Sequence, residues 1–357
     1  MLGRTPLRGA AGRYVMLARH AARYLTPLKV ANLLRCEAEK RRRVAHVRSR
    51  PYAATLDVTN LCNLRCPYCP TGALRDAGRA ERMMPLSVVD QFLEELGRYL
   101  ISVNLFNWGE PFVHREVADI VERIHARGIF TQISSNLSVT RPAVLEDVCR
   151  AGLDYLMIST SGASQEVNAR YHRRGRLSLV AENAQAIVDF KRKHRKSTPV
   201  VEWKYLVFKH NAHEVDEARA LAARIGVDVF RAVRGGGDEA DLVAADEAPS
   251  SIIPTRLCHQ LWHTIVISAD GGIAPCCYLY FKDDDFADLS QESVMAARNS
   301  PRYQTARTLF DRAAVATLPP DLQHPCLKCE LVHRVPHLQN YLASNPHATQ
   351  GARTGGP

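Results

Sequence analysis

One feature limits the fold more than any other: from residue 53 to 230 the chain alternates between two periodicities. Ala53–Thr59, Ile101–Asn107, Ile129–Ser135, Tyr155–Thr160, Val200–Phe208 and Val227–Phe230 are short and rich in β-formers. Between them Leu86–Leu100, Glu116–Gly128, Arg141–Gly152, Leu179–Lys196 and His213–Gly226 repeat apolar residues at helical spacing. Six strands alternating with five helices specify a parallel sheet covered by helices. An incomplete barrel and a doubly wound sheet both satisfy that pattern, and periodicity cannot choose between them. A Gly-rich, acidic stretch, Arg234–Ser251, then breaks the alternation and reads as a linker. Beyond it the text is cysteine-rich, and Thr264–Cys277 reads as a hairpin with Asp-Gly-Gly at its turn. The expected units are therefore a basic helical extension (1–50), an α/β unit (51–233), a flexible acidic linker (234–253), a small α+β unit (254–340) and a disordered tail (341–357).

The loop after the first strand reads TNLCNLRCPYCPTG and places Cys62, Cys66 and Cys69 within eight residues. No run of eighteen apolar residues occurs, and the N-terminal apolar patches are broken by Arg13, Arg19 and Arg23. A cytoplasmic, reduced protein is expected, so the ten cysteines are read as metal ligands or reactive thiols before disulfides. Structural zinc wants four ligands, usually as two close pairs. Three thiols at the carboxyl end of a strand suit instead a cluster with one open position, in the region where α/β sheets build their active sites.

Cys-x3-Cys-x2-Cys with Tyr68 before the last cysteine resembles the radical S-adenosylmethionine (SAM) superfamily. The resemblance continues through the sheet. Asn107–Pro111 (NWGEP) is similar to the family's Gly-Glu-Pro motif, implying that Gly109 and Glu110 meet the methionine amino group. Ile133–Asn136 is similar to its ribose and carboxylate region, implying Ser135 and Asn136. Ile158–Ser164 implies Ser159 and Ser161, and Trp203–Glu214 the adenine wall. Alone, each later motif is more often a turn or a helix cap; in order behind the triplet they reinforce one another. The resemblance implies a partial (β/α)6 TIM-like barrel with a small C-terminal α+β iron–sulfur domain. It also implies a [4Fe–4S] cluster on Cys62, Cys66 and Cys69, with SAM on the open iron as a source of the 5′-deoxyadenosyl radical.

Cys258, Gly272, Cys277, Cys326 and Cys329 resemble the SPASM-type extension of that superfamily, reduced to one auxiliary [4Fe–4S] cluster on Cys258, Cys277, Cys326 and Cys329. Zinc on the same four thiols is the competing reading. Cys276 is left over, as a spare ligand, a buried small residue or a hydrogen-atom donor to a substrate radical. Cys149 reads as core, and Cys36 receives no role. His210 and His213 read as solvated loop residues, and His259 and His263 as lining the auxiliary site.

The leading substrate expectation is a sugar or secondary-metabolite intermediate, epimerised or dehydrogenated, with flavodoxin or ferredoxin as electron donor. Peptide maturation, aminocarboxypropyl transfer to a thiol or arsenite, and an inactive iron–sulfur scaffold are the alternatives. The short segment before the barrel argues against a dedicated leader-peptide domain. Residues 1–50 hold 13 Lys/Arg and 2 Asp/Glu, against 34 and 35 in the remainder. The basicity therefore belongs to one segment, read as a solvated extension or as a surface for anionic lipid or an acidic partner. No nucleic-acid recognition module accompanies it.

Overall fold

The computed structural model describes residues 17–80, 82–238, 241, 258–345 and 347. Strands β1 (Ala53–Leu56), β2 (Ser102–Asn104), β3 (Phe130–Ser135), β4 (Tyr155–Thr160), β5 (Val200–Val207) and β6 (Val229–Arg234) pair in sequence order, all parallel. A doubly wound sheet reverses strand order at a switch point. This one does not, so the open choice resolves to a barrel left incomplete, since the second edge of β1 pairs elsewhere.

A basic helix, α1 (Pro27–Arg41), precedes the sheet. Helices α2 (Leu86–Leu96), α3 (Val117–Ala126), α4 (Pro142–Ala151), α6 (Leu177–Lys193) and α7 (Val215–Ile225) pack outside it. Each presents an apolar stripe at helical spacing: α3 buries Val117, Ile120, Val121 and Ile124. Burying each such side chain contributes roughly 1.5–3 kcal/mol, which fixes the helix on the sheet despite its exposed outer face. A short helix that the periodicity missed, α5 (Gln165–Tyr171), follows β4, capped by Ser164. The inner face of the sheet is polar toward its carboxyl end: Asn104 donates to Thr55 at 3.3 Å and Ser134 meets Ser159 at 3.5 Å. At the amino end it is closed by packing. Leu17, Ala21 and Tyr24 lie against Phe130, Tyr155, Met157, Val200 and Val229.

The C-terminal region continues the same sheet. After α8 (Gln260–His263), β7 (Thr264–Ile267) pairs parallel to β1, with Ala53 opposite Thr264 and Leu56 opposite Ile267. β8 (Gly272–Ala274) and β9 (Ala287–Asp288) follow antiparallel, as the expected hairpin requires. The fully buried Arg298 and Arg307 donate to carbonyls of Trp262, Thr264, Leu261 and Ala45 at 2.8–3.1 Å, tying the chain before β1 to this region. Residues 341–344, placed by the sequence in the tail, belong instead to a helix over Gln339–Ser344, and Leu342 is buried. Most of the expected 234–253 linker, and the tail beyond residue 347, lie outside the described residues. Among the described residues no helix is long and apolar enough to cross a membrane.

Candidate functional site

The cysteine loop leaves the carboxyl end of β1 and is braced by backbone bonds. Glu110 N donates to Leu61 O at 2.8 Å, Arg65 N to Arg173 O at 3.0 Å and Ala73 N to Cys69 O at 2.8 Å. A Cβ on Gly109 would stand 1.7 Å from Thr59 O, so only glycine lets the two loops approach. Burial first, then the Glu110 carboxylate and Cys69, push the Cys62 thiol up to about 12. Burial and neighbouring thiols raise Cys66, and burial raises Cys69. The three thiols thus share one enclosed pocket, where a bound cation would hold them as thiolates. Among the described residues no three donors converge tightly enough for one metal ion. A cubane places a different iron on each thiolate and leaves one iron open, which three thiols on one loop suit.

Glu110, 2 % exposed, lies beneath this loop. Its carboxylate accepts from Ser135 Oγ at 2.7 Å, Asn136 N at 2.8 Å and Phe112 N at 3.1 Å. Burial outweighs these donors and pushes its pKa up to about 7. No salt bridge reaches it among the described residues, so the pocket holds a carboxylate in want of a cation, which fits the SAM ammonium. Asn136 Nδ2 also donates to Asn63 in the cysteine loop at 3.0 Å. Gly109, Glu110, Ser135 and Asn136 therefore form one cradle.

The other expected SAM contacts divide. Ser159 lies on β4 facing Ser134. Ser161 is fully buried, and its hydroxyl bonds Asn168 O at 3.2 Å and His172 Nδ1 at 2.7 Å. It shapes the β4–α5 turn and its hydroxyl is already engaged. Tyr68 donates to Asp241, which with burial raises its pKa to about 12. Its ring lies 6.2 Å from Tyr171 and 6.4 Å from Phe208, and Phe208 stacks on His210 at 5.4 Å. His210 thus joins an aromatic wall, although the sequence suggested a solvated loop. Tyr171 comes from α5, the helix the periodicity missed.

Two further residues were not anticipated. Asp57, just past β1 and 4 % exposed, accepts from Trp108 N at 3.2 Å and Gly109 N at 3.4 Å. Burial pushes it up to about 7 against those donors and Arg79. Arg79, in the stretch after the cysteines, reaches Asp270 at 2.8 Å and Asp285 at 2.5 Å across to the C-terminal hairpin. Their signal lay in a lone acid at a strand end and a lone arginine in a loop, neither distinctive in sequence.

The hairpin explains its two glycines separately. Gly271 has φ +85° at the turn. A Cβ on Gly272 would stand 2.0 Å from Asp285 Oδ2 and 2.8 Å from Arg79 Nη1, so Gly272 makes room for the clamp. Five cysteines before and after it lie within reach of one another's charge. Burial raises Cys276 well above its ordinary value, helped by Cys277, Cys258 and Cys329. Burial raises Cys326 likewise, and its strongest charge neighbour is Cys276, followed by Cys258 and Cys329. Cys258 is pushed up to about 11 by burial, then by Cys329 and Cys277. Cys277 is raised by burial and is not among the neighbours acting on Cys326. Counted from the turn residue Gly271, the Gly-x4-Cys spacing ends on Cys276. Cys276 acts on Cys326, while Cys277 acts on Cys258 and on Cys276, so both adjacent thiols lie beside the expected ligand set. His263 lies elsewhere, 2.9 Å from both Tyr52 and Glu37, and Cys36 and Cys149 are buried in packing.

The comparisons with known proteins follow this division. The family model described as Radical SAM superfamily matches residues 56–202, and that described as iron-sulfur cluster-binding domain matches residues 258–330. The PqqA peptide cyclase of Bradyrhizobium diazoefficiens is 24% identical over 165 residues, 46% of this chain and 39% of that protein. The mycofactocin maturase MftC of Mycolicibacterium smegmatis is 25% identical over 194 residues, 54% of this chain and 47% of that one. The chain thus spans less than half the length of these curated relatives. The structure of Streptococcus suis SuiB bound to S-adenosylmethionine superposes with TM-score 0.58 at 13% identity, covering 72% of this chain and 68% of that one, a likeness of fold. The two family models imply SAM, a SAM-binding [4Fe–4S] cluster and auxiliary iron–sulfur as cofactors. This chain belongs to the radical SAM superfamily and carries a SPASM-type domain behind its barrel.

Proposed function

We propose that this radical SAM enzyme modifies a peptide, with Cys62, Cys66 and Cys69 holding the SAM-binding cluster. The observation that carries the radical chemistry is the thiol triplet beside Glu110, a buried carboxylate with three donors and, among the described residues, no salt bridge. When bound, the cluster and SAM together supply a carbon-centred radical able to take hydrogen from an unactivated C–H bond. Glu110 receives the SAM ammonium, and Ser135 and the Asn136 backbone keep its carboxylate aimed at that position. Tyr68, Tyr171 and Phe208 wall the mouth and exclude water. The polar inner face, with Ser134 and Ser159, orients the substrate.

Peptide chemistry is favoured because the curated relatives are named as a peptide cyclase and a maturase. The sugar expectation rested on family analogy and finds no support in these relatives. At the auxiliary site we assign Cys258, Cys276, Cys326 and Cys329 as ligands. Cys276 then has no role as hydrogen-atom donor, and Cys277 is the spare thiol.

The test is anaerobic reconstitution, reduction and identification of the nucleoside released from SAM, with unstructured peptides and monosaccharides as competing additions. Peptide-stimulated 5′-deoxyadenosine with a mass change on the peptide supports the proposal. Stimulation by polyols alone rejects the peptide reading. Methylthioadenosine as the product rejects hydrogen abstraction and turns the reading to aminocarboxypropyl transfer.

A further inference from the structure

The large exposed apolar side chains among the described residues are not scattered. Of the six, Leu25, Leu28, Val30 and Leu34 fall within ten residues at and inside the start of α1. The inner face of this helix carries Lys29, Asn32 and Cys36, all buried. Asn32 is fixed by two bonds to the Arg50 backbone at 2.8 and 2.9 Å, which sets the rotation of the helix. At 100° per residue, Val30, Ala31, Leu34 and Arg41 then point outward, with Leu28 and Arg35 at the margins. A solvated surface helix shows the reverse, polar outside and apolar within. Leu34 is 64% exposed.

Beside the first turn of α1 lies a cavity of about 430 Å3 lined by Arg23, Lys29, Arg98, Arg127, Leu25 and Leu28 among others, with no acidic residue in its wall. Lys29 Nζ donates to Gly128 O at 2.5 Å and Arg127 to Leu93 O at 3.1 Å, so the wall is built rather than draped. Glu37 and Glu39, the acids of α1, are engaged with Lys40 and with Ser49 at 2.7 and 2.5 Å. Among the described residues the exposed leucines therefore stand beside a cavity wall with four basic side chains and no acid. Leucines projecting singly from a convex helix among arginines suit a bilayer interface. A folded acidic partner would meet a concave apolar site instead.

The position in the fold fits the same occupant. Arg98 precedes β2, Arg127 and Gly128 precede β3, and Tyr24 packs on the amino ends of β3 to β6. The surface thus lies on the face opposite the cysteine loop, which leaves from the carboxyl end of β1. A membrane against it would leave the mouth open.

We propose that α1 and the arginine-lined cavity at its start dock the protein on an anionic phospholipid bilayer, a headgroup phosphate sitting among Arg23, Arg98 and Arg127 while Leu25, Leu28 and Leu34 enter the interface. This is independent of the substrate reading. The experiment is flotation of the reconstituted holoprotein with vesicles of phosphatidylcholine alone and of phosphatidylcholine mixed with phosphatidylglycerol. The protein is expected to float with the anionic vesicles only, and high salt should release it. Arg98→Gln should weaken partition about fivefold, as one interfacial cation does. Leu34→Gln should weaken it about tenfold. Neither residue touches the thiol pockets, so SAM cleavage without vesicles should be unchanged in both, which confirms folding. Equal flotation with neutral vesicles, no flotation of the wild type, or wild-type partition in both variants overturns the proposal. So does a dimer that Leu34→Gln dissociates, or inorganic phosphate stabilising the protein with no vesicle binding, which would leave a free-phosphate site only.

Discussion

Replacing Arg79 by methionine should destabilise the protein by about 3 kcal/mol. The guanidinium is 5 % exposed and joins Asp270 and Asp285, 10 % and 6 % exposed, in a fork between the stretch after the cysteines and the C-terminal hairpin. It also donates to the Tyr280 and Phe281 carbonyls at 3.1 and 3.3 Å. Removing one partner of a buried ion pair costs about 3–5 kcal/mol, because the charges left behind stay desolvated. Lys282 lies 3.2 and 3.4 Å from the same two acids and offsets part of the loss, which sets the lower end of that range. At about 2 °C per kcal/mol for a chain of this size, Tm should fall by about 6 °C in the holoprotein. Arg79→Lys should recover only part of it, since a point charge cannot reproduce the fork. Adding Asp270→Asn and Asp285→Asn to Arg79→Met should recover part of the loss by removing the stranded charges. The reasoning fails if Arg79→Met shifts Tm by under about 2 °C, or if the triple variant is no more stable than the single. The acids titrate in opposite senses. Asp285 is raised by burial, while Arg79 and Lys282 overcome burial at Asp270 and hold it low. The contribution of Asp270 is therefore present above the ordinary carboxylate pKa of about 3.9 and is lost as pH falls through its lower folded value.

Three further outcomes are expected. SAM should bind about tenfold more tightly at pH 8 than at pH 6, because a Glu110 carboxyl with a pKa near 7 must ionise to receive the ammonium; equilibrium dialysis should show Glu110→Gln binding weakly with a flat profile. Cys276→Ala should lose the auxiliary iron and its electron paramagnetic resonance signal while Cys277→Ala keeps both; the opposite pattern would restore Cys277 as the ligand. Gly109→Ala, whose Cβ would meet Thr59 O at 1.7 Å, should lose SAM binding and SAM-cluster iron even if the protein folds, as iron analysis and dialysis together would report.

The barrel was legible because each of its units buries one face, and burial imposes a period that the sequence must carry. The expected strand Ile129–Ser135 is observed as Phe130–Ser135, and the expected helix Glu116–Gly128 as Val117–Ala126. The α5 helix escaped because seven residues held by a Ser164 cap and an Asn168 network carry too few apolar positions to show a period. The pairing of β7 with β1 escaped for another reason. Two strands separated by some 200 residues leave no local mark of their register. At the site, cysteines are rare enough that spacing alone drew attention to them. Spacing could not choose between adjacent Cys276 and Cys277, because counting from Gly271 or from Gly272 moves the answer by one. The structure distinguishes these glycines physically, one by its positive φ and the other by the carboxylate against it.

The same pairing bears on what the C-terminal domain does for the barrel. β7 joins at β1, the strand whose end launches the cysteine loop, and Asp57 N at that end donates to Ile267 O at 2.9 Å. Twenty-two residues later Arg79 returns to the same domain through Asp270 and Asp285. The stretch carrying Cys62, Cys66 and Cys69 is therefore anchored to the C-terminal hairpin at both ends, while its middle is braced to Glu110, Asn136 and Arg173 of the barrel. Loops that ligate a cofactor need this restraint, because each thiol must keep its place before iron is bound. On this architecture the hairpin acts mechanically as well as by whatever its own cluster supplies. The two roles separate in the variants above: Cys276→Ala should leave the first cluster able to assemble, and Arg79→Met should loosen it while the four auxiliary thiols remain intact.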